Sequence, residues 1–239
     1  MKQKRKPLKD RIRVLYEDNH IIVVNKSSGI MSQPFRDETA DSVVELIRHY
    51  WKTQKKRQQF LGVVHRLDKE TSGLLVLAKT KSAQRLLNIQ FQDGRVGKRY
   101  LAVVLGIPKR RRKQLVGYLT RDFKGRRSVS VSPGKGKKLI TRYVIRETYG
   151  DRALLELTPE TGRTHQIRLQ LAKLGHPIIG ESVYSKDHTR VMGFSRCALH
   201  ASKLIFQHPS TAKIVVFEAP VPDDMAVLIE RDKVKKEDT

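Results

Sequence analysis

Asp68 lies in the run Val64-His65-Arg66-Leu67-Asp68-Lys69-Glu70-Thr71-Ser72-Gly73, two residues after Arg66, in a chain with 49 Lys and Arg against 24 Asp and Glu. A carboxylate is ionised near neutral pH and can serve as nucleophile or base without help from a neighbour. In a chain that binds a polyanion, every acid near the ligand repels it, so such an Asp needs a reason. One reason is structural, a turn cap or a pair with an Arg; the other is chemical. Two more segments gather polar groups. Lys98-Arg99-Tyr100 heads a strand, with Tyr100 32 residues after Asp68. Thr161-Gly162-Arg163-Thr164-His165-Gln166-Ile167-Arg168 opens a helix on which His165, Arg168 and Ala172 share a face. Arg168 would then project its guanidinium from a rigid element.

The elements that must position these groups are read from periodicity and caps. Ile12–Tyr16 and Ile21–Asn25 read as β-branched strands with a turn at Asp18-Asn19. Ser42 with Glu45 forms a capping box, ahead of a helix whose apolar face is Val43, Val44, Leu46, Ile47 and Tyr50. Gly73–Lys79 reads as a short apolar strand, followed by a helix over Lys81–Phe91 with Thr80 as its N-cap. Strands are predicted over Tyr100–Leu105, Leu115–Leu119, Val129–Val131, Leu139–Ile145 and Ala153–Leu157. The helix from Thr164 to Leu174 stops at Gly175, with Pro177 beyond it. Strands at Leu199–Phe206 and Ile214–Glu218 precede a last helix near Asp223–Ile229. Strands in runs with few helices between them predict an α+β fold with a mixed, largely antiparallel sheet and flanking helices. The regular alternation of a doubly wound fold is missing.

With 239 residues the chain can bury a proper core. Its organisation reads as a basic disordered tail over 1–11, a single catalytic domain over 12–230 with a basic strand-rich centre at 95–145, and a charged tail over 231–239. The net charge of +25 is concentrated: from Arg95 to Arg142 there are sixteen Lys or Arg and one acid, Asp122. Such a field is a counterion-release surface for a phosphate backbone. No basic amphipathic helix is present to favour a membrane surface instead. The single cysteine, Cys197, excludes a disulfide framework or a Cys-based zinc site and reads as a buried inert thiol. The longest early apolar run, Ile21–Val24, is too short for a signal segment or a span. A cytoplasmic, soluble chain is expected, with monomer as the default.

Several motifs fail on physical grounds. Gly73 to Thr80 approaches a phosphate-binding loop, but Ala78 replaces its second glycine and the Leu-Leu-Val-Leu between wants to be a buried strand. Gly134-Lys135-Gly136 lacks a third glycine and a following helix. The eight histidines show no metal-ligand spacing, so no metal is expected. A glycosidase needs two facing carboxylates, and strand alternation would turn Glu70 away from Asp68.

The surviving constellation resembles the RluA-type pseudouridine synthases. His65-Arg66-Leu67-Asp68-x-x-Thr71-Ser72-Gly73 is similar to that family's signature, and Gly162-Arg163-Thr164-His165-Gln166-Ile167-Arg168 to its second. Val23-Val24-Asn25-Lys26-Ser27-Ser28-Gly29 is similar to its opening strand and turn, with Ser27 where the family usually has Pro. The likeness runs over about 12–230.

The resemblance implies the pseudouridine synthase catalytic fold, with a cleft across the sheet. It implies that uridine in structured RNA, tRNA or rRNA, is isomerised to pseudouridine without cofactor or metal, the base leaving through N1 and returning through C5. Asp68 would be the catalytic carboxylate, as nucleophile at ribose C1′ or base at C2′. Arg168 would pair with it and keep it ionised, an effect of roughly one to three pKa units for a cation within a few Å. Tyr100 would stack on the uracil and help remove the C5 proton; alone, it reads equally as a strand aromatic. The target must be flipped out, at a cost of a few kcal/mol that is lowest in loops, and Arg66 would fill the vacated stack. Arg163 fits a phosphate contact or a structural pair. Lys98, Arg99, Arg110, Arg111 and Arg112, with the run Arg121–Arg127, would hold the RNA backbone. His65 and His165 are expected as hydrogen-bonding scaffold. No N-terminal stretch suits an S4-type domain, so recognition falls to the catalytic domain and its basic 106–137 insertions, with a compact stem-loop as target. The competing reading is a basic RNA chaperone or ribosome-assembly factor that uses the same fold for binding alone.

Overall fold

The computed structural model describes residues 8–34, 42–57, 59–121, 128–185 and 194–230. Among the described residues, eleven strands and four α-helices alternate irregularly, as expected for an α+β chain whose sheet is mostly antiparallel. The residues fall into two compact units, one of Met1–Gly97 with Lys203–Ala219, the other of Lys98–Ser202 with Pro220–Thr239.

The first unit includes a 3-10 turn at Leu8–Asp10, within the segment expected as a basic tail; residues 1–7 and 231–239 lie outside the described ones. Strands β1 (Ile12–Glu17) and β2 (Ile21–Lys26) form an antiparallel hairpin. Asp18 fixes the turn, its carboxylate accepting from the backbone of His20 and Ile21 at 2.7 Å each. Helix α1 (Val43–Thr53) starts as the capping box requires, Ser42 Oγ accepting from Glu45 N at 3.3 Å. Its buried face carries Trp51, while the expected Tyr50 is half-buried. The indole can bury because Glu17 accepts its N–H at 2.8 Å.

The short strand β3 (Gly62–Val63) pairs with β4 (Ser72–Ala78), which also pairs with β2. Every β4 residue is buried. The segment that approached a phosphate loop is therefore a central strand. Helix α2 (Lys81–Gln92) begins where Thr80 Oγ1 accepts from Ala83 N, and it buries Ala83 and Leu87 against the core of Ile21, Val23, Leu74 and Val76. The tail of β10 (Leu199–Gln207) and β11 (Ile214–Glu218) complete this unit.

The second unit is built from β5 (Gly97–Leu105), β6 (Arg112–Arg121), β7 (Ser128–Ser130), β8 (Lys137–Tyr149) and β9 (Arg152–Pro159), in the order β5-β9-β8-β6-β7. These ladders are antiparallel. Ala102, Val103 and Val104 of β5 pack with Leu155 and Leu157 of β9 in its core. Helix α3 (Gln166–Lys173) lies on that core through Ile167 and Leu171, and α4 (Asp223–Glu230) through Met225 and Leu228. Cys197 is buried and outside any disulfide, its Sγ donating to Glu181 Oε2 at 4.0 Å. No helix among the described residues is long and apolar enough to cross a membrane.

Candidate active site

Asp68 sits on a loop between β3 and β4, not on a strand, and it is half-buried while Arg66 is exposed. The alternation argument that turned Glu70 away from Asp68 does not apply, because 68–71 is a turn closed by Thr71 N donating to Asp68 O at 3.1 Å.

This loop is seated on the turn that follows β2. Lys26, fully buried, donates its ammonium to the carbonyls of Ile30 at 2.8 Å, Ser27 at 3.1 Å and Lys69 at 3.2 Å. A buried ammonium demands such partners, since an unpaired one would be strongly disfavoured. Gly29 N also donates to Lys69 O at 2.8 Å, and Ser28 Oγ to Glu70 O at 2.8 Å. Gly29 adopts φ 87°, a left-handed conformation that a residue without Cβ takes freely. Ser32 Oγ receives Leu67 N at 2.9 Å and donates to Leu67 O at 3.0 Å.

Ser27, where the resembling family usually has Pro, uses the N–H that a proline lacks: it donates to Arg11 O at 3.0 Å, and Ser27 Oγ to Asp10 O at 2.9 Å. The substitution thus ties down the chain entering β1. His65 stacks on Phe91 with ring centroids 4.5 Å apart, and its Nε2 accepts from Val76 N at 3.1 Å. An imidazole nitrogen that accepts an N–H carries no proton there, as befits a scaffold.

In the second unit, Lys98 and Tyr100 lie on one face of β5 and Arg99 on the other, because strand side chains alternate. Burial pushes the Lys98 ammonium below the usual lysine range. A Cβ added at Gly162 would lie 3.7 Å from Lys98 Nζ, so this lysine flanks the turn that opens the second signature. Arg99 lies 3.8 Å from Glu156, which also takes Arg146 at 2.8 Å. Arg110, Arg111, Arg112 and Arg163 are exposed. Residues 122–127 of the expected Arg121–Arg127 run lie outside the described ones.

Helix α3 begins two residues later than predicted. His165 takes φ 57°, a left-handed conformation costly for a non-glycine residue, and cannot continue a helix. It is therefore off the helix and not on one face with Arg168. Its Nδ1 is 3.0 Å from Tyr184 Oη. The helix start is closed by Gln166, whose side-chain oxygen accepts from Arg163 N at 3.1 Å and Thr161 Oγ1 at 2.7 Å. Its amide nitrogen donates to Ile140 O and Thr141 Oγ1 at 3.0 and 2.9 Å.

Arg168, 3% exposed, is held by Glu181, 1% exposed. Arg168 Nε donates to Glu181 Oε2 at 2.6 Å and Nη2 to Oε1 at 2.8 Å, while Glu181 also accepts from Val183 N at 2.7 Å and Tyr184 N at 3.2 Å. Burial opposes ionisation of Glu181, but the guanidinium and the two backbone N–H groups outweigh it and hold its carboxyl below the usual range. Sequence reasoning missed Glu181. The available signal was a lone acid closing the apolar run Ile178-Ile179-Gly180-Glu181. Gly180 brings it in: at φ 78°, a Cβ there would sit 1.8 Å from Arg196 O.

Comparisons with known proteins bear on the chain as a whole. The family model described as RNA pseudouridylate synthase matches residues 20–173. The chain is 35% identical to the ribosomal large subunit pseudouridine synthase D of Zymomonas mobilis over 231 residues, covering 91% of this chain and 71% of the relative. It is 40% identical to the protein of the same name from Borreliella burgdorferi over 179 residues, which are 73% of this chain and 55% of the relative. The solved structure of human RNA pseudouridylate synthase domain containing 1 is similar, with a TM-score of 0.74 at 26% identity, covering 91% of this chain and 86% of that one. That of domain containing 4 superposes with a TM-score of 0.76 at 23% identity, over 95% of this chain and 94% of the other, a likeness of fold.

Proposed function

The chain belongs to the RNA pseudouridylate synthase family, its reaction is the isomerisation of uridine in RNA, and on that premise we propose that Asp68 carries the reaction and that ribosomal RNA is the substrate. The observation that supports Asp68 most directly is its seating. Lys26, Ser28, Gly29 and Ser32 all bind the backbone of 67–70, a degree of immobilisation that suits a group needing fixed geometry. The relatives named for the large ribosomal subunit support the choice of RNA.

In the isomerisation, the bond from uracil N1 to ribose C1′ breaks, the base turns, C5 bonds to C1′, and the C5 proton leaves while N1 takes one up, so the product has the composition of the substrate. Nothing is oxidised or reduced. Asp68 acts at C1′ as nucleophile or at C2′ as base. Tyr100 stacks on the uracil and assists departure of the C5 proton. Arg168 is assigned as a positioning residue for the carboxylate, its own orientation set by Glu181. Arg66, exposed beside Asp68, replaces the flipped base in the stack. Lys98, Arg163 and the exposed Arg110, Arg111 and Arg112 bind RNA phosphates; Arg99, shared with Glu156, binds more weakly. The protein works as a monomer in the cytoplasm. The binding-only alternative is not favoured, since a binder has no use for this fixed acid.

Tritium release from C5-labelled uridine tests the proposal, in ribosomal RNA and separately in tRNA from cells lacking the protein. Release from ribosomal RNA is expected. Release from tRNA alone would overturn the substrate, and release from neither would return the binding-only reading.

A further inference from the structure

The structure assigns to Ser32 the part of a positioning residue that sets the place of Asp68 by clamping the peptide groups on both sides of Leu67. This rests on Asp68 as the reacting carboxylate. Ser32 is 4% exposed and lies 35 residues before Leu67. Its hydroxyl oxygen accepts from Leu67 N at 2.9 Å and its proton goes to Leu67 O at 3.0 Å. One side chain thus replaces what a neighbouring strand would supply, a donor and an acceptor to the same residue.

The two groups it holds belong to different peptides. Leu67 N lies in the peptide joining Arg66 to Leu67, and Leu67 O in the peptide joining Leu67 to Asp68. Fixing both planes fixes φ and ψ of Leu67 between them, and with these the places of the Arg66 and Asp68 Cα atoms at their outer ends. Further contacts of the loop act on the carbonyls of Asp68, which accepts from Thr71 N at 3.1 Å, and of Lys69 and Glu70. Ser32 holds the peptide that leads into Asp68. It is itself anchored: the adjacent Met31 accepts from Val43 N at 2.8 Å and bridges to Ser42, at the start of α1. Helix α1 therefore supports the clamp from behind, and Leu67, buried beside it, keeps water from replacing the lost bonds.

The test compares Ser32→Ala, Ser32→Thr and Asp68→Asn in the full chain, with turnover at saturating ribosomal RNA and RNA affinity measured separately. Ser32→Ala removes one oxygen and leaves the fold intact, as melting curves will verify. We expect its kcat to fall tenfold or more with RNA affinity within twofold of wild type, and Ser32→Thr, which keeps the hydroxyl, to recover most of the loss. An unchanged kcat in Ser32→Ala would overturn the assignment. So would equal losses of kcat and affinity that Thr fails to repair, since these mark general loosening. Turnover by Asp68→Asn would remove Asp68 as the reacting group, an outcome separate from the other two.

Discussion

Arg168 and Glu181 meet through two nearly parallel hydrogen bonds, Nε to Oε2 at 2.6 Å and Nη2 to Oε1 at 2.8 Å, with both side chains buried. The pair joins α3 to the segment after Gly180, and it decides where the guanidinium of the second signature points. Removing Glu181 takes the bidentate partner from a buried guanidinium, and breaking a buried pair typically costs about 3–5 kcal/mol. Glu181→Ala should therefore lose about that much stability in urea unfolding, and turnover with it. A change under about 1 kcal/mol, the range of exposed pairs, would mean that the guanidinium finds water instead.

The same carboxyl makes stability depend on pH. Its folded pKa lies below the ordinary value of 4.5. Its contribution is thus fully present above that value and is lost as pH falls through the folded pKa. The stability gap between wild type and Glu181→Gln should be constant from pH 7 down to about 5 and narrow below 4.5. A gap that widens on acidification would contradict the ion pair.

Gly180 should tolerate no side chain. Its φ of 78° and the 1.8 Å from a built Cβ to Arg196 O oppose even alanine. Gly180→Ala should cost on the order of 3 kcal/mol, combining backbone strain with displacement of Glu181. Melting temperature reads the first effect, and turnover at a temperature where the variant remains folded reads the second.

Asp68→Asn preserves shape and removes the ionised oxygen. Pseudouridine formation should drop by roughly a thousandfold or more, the scale set by deleting a reacting group in other enzymes. RNA affinity should survive, as read by filter binding. Residual turnover near wild type would move the chemistry to another residue.

RNA binding should fall steeply with salt. Each phosphate neutralised contributes about 0.7 to 0.9 to the slope of log K against log salt. Arg110→Ala and Arg111→Ala, both at exposed positions, should each lower that slope by about one contact and weaken all RNAs alike. A slope unmoved by both would place the RNA elsewhere.

The candidate groups were legible in the sequence because they are contiguous: an acid within His65-Arg66-Leu67-Asp68 and a guanidinium within Gly162 to Arg168 need no fold to be noticed. Helix starts at Ser42 and Thr80 were legible for a similar reason, as a cap acts over three residues. The buried strand β4 followed from its unbroken apolar run. What only the tertiary structure decided is how these groups are held. Ser32 finds Leu67 35 residues away, Lys26 finds Lys69 43 away, and Arg168 finds Glu181 13 away. Such partners depend on sheet register and turn geometry, which carry no local signature. The late start of α3 belongs with them: the left-handed conformation of His165 is uncommon for any residue with a side chain, and it is seen only once Tyr184 and the Gln166 amide are in place around it. Local chemistry fixed which atoms can react, and long-range packing fixed where those atoms point.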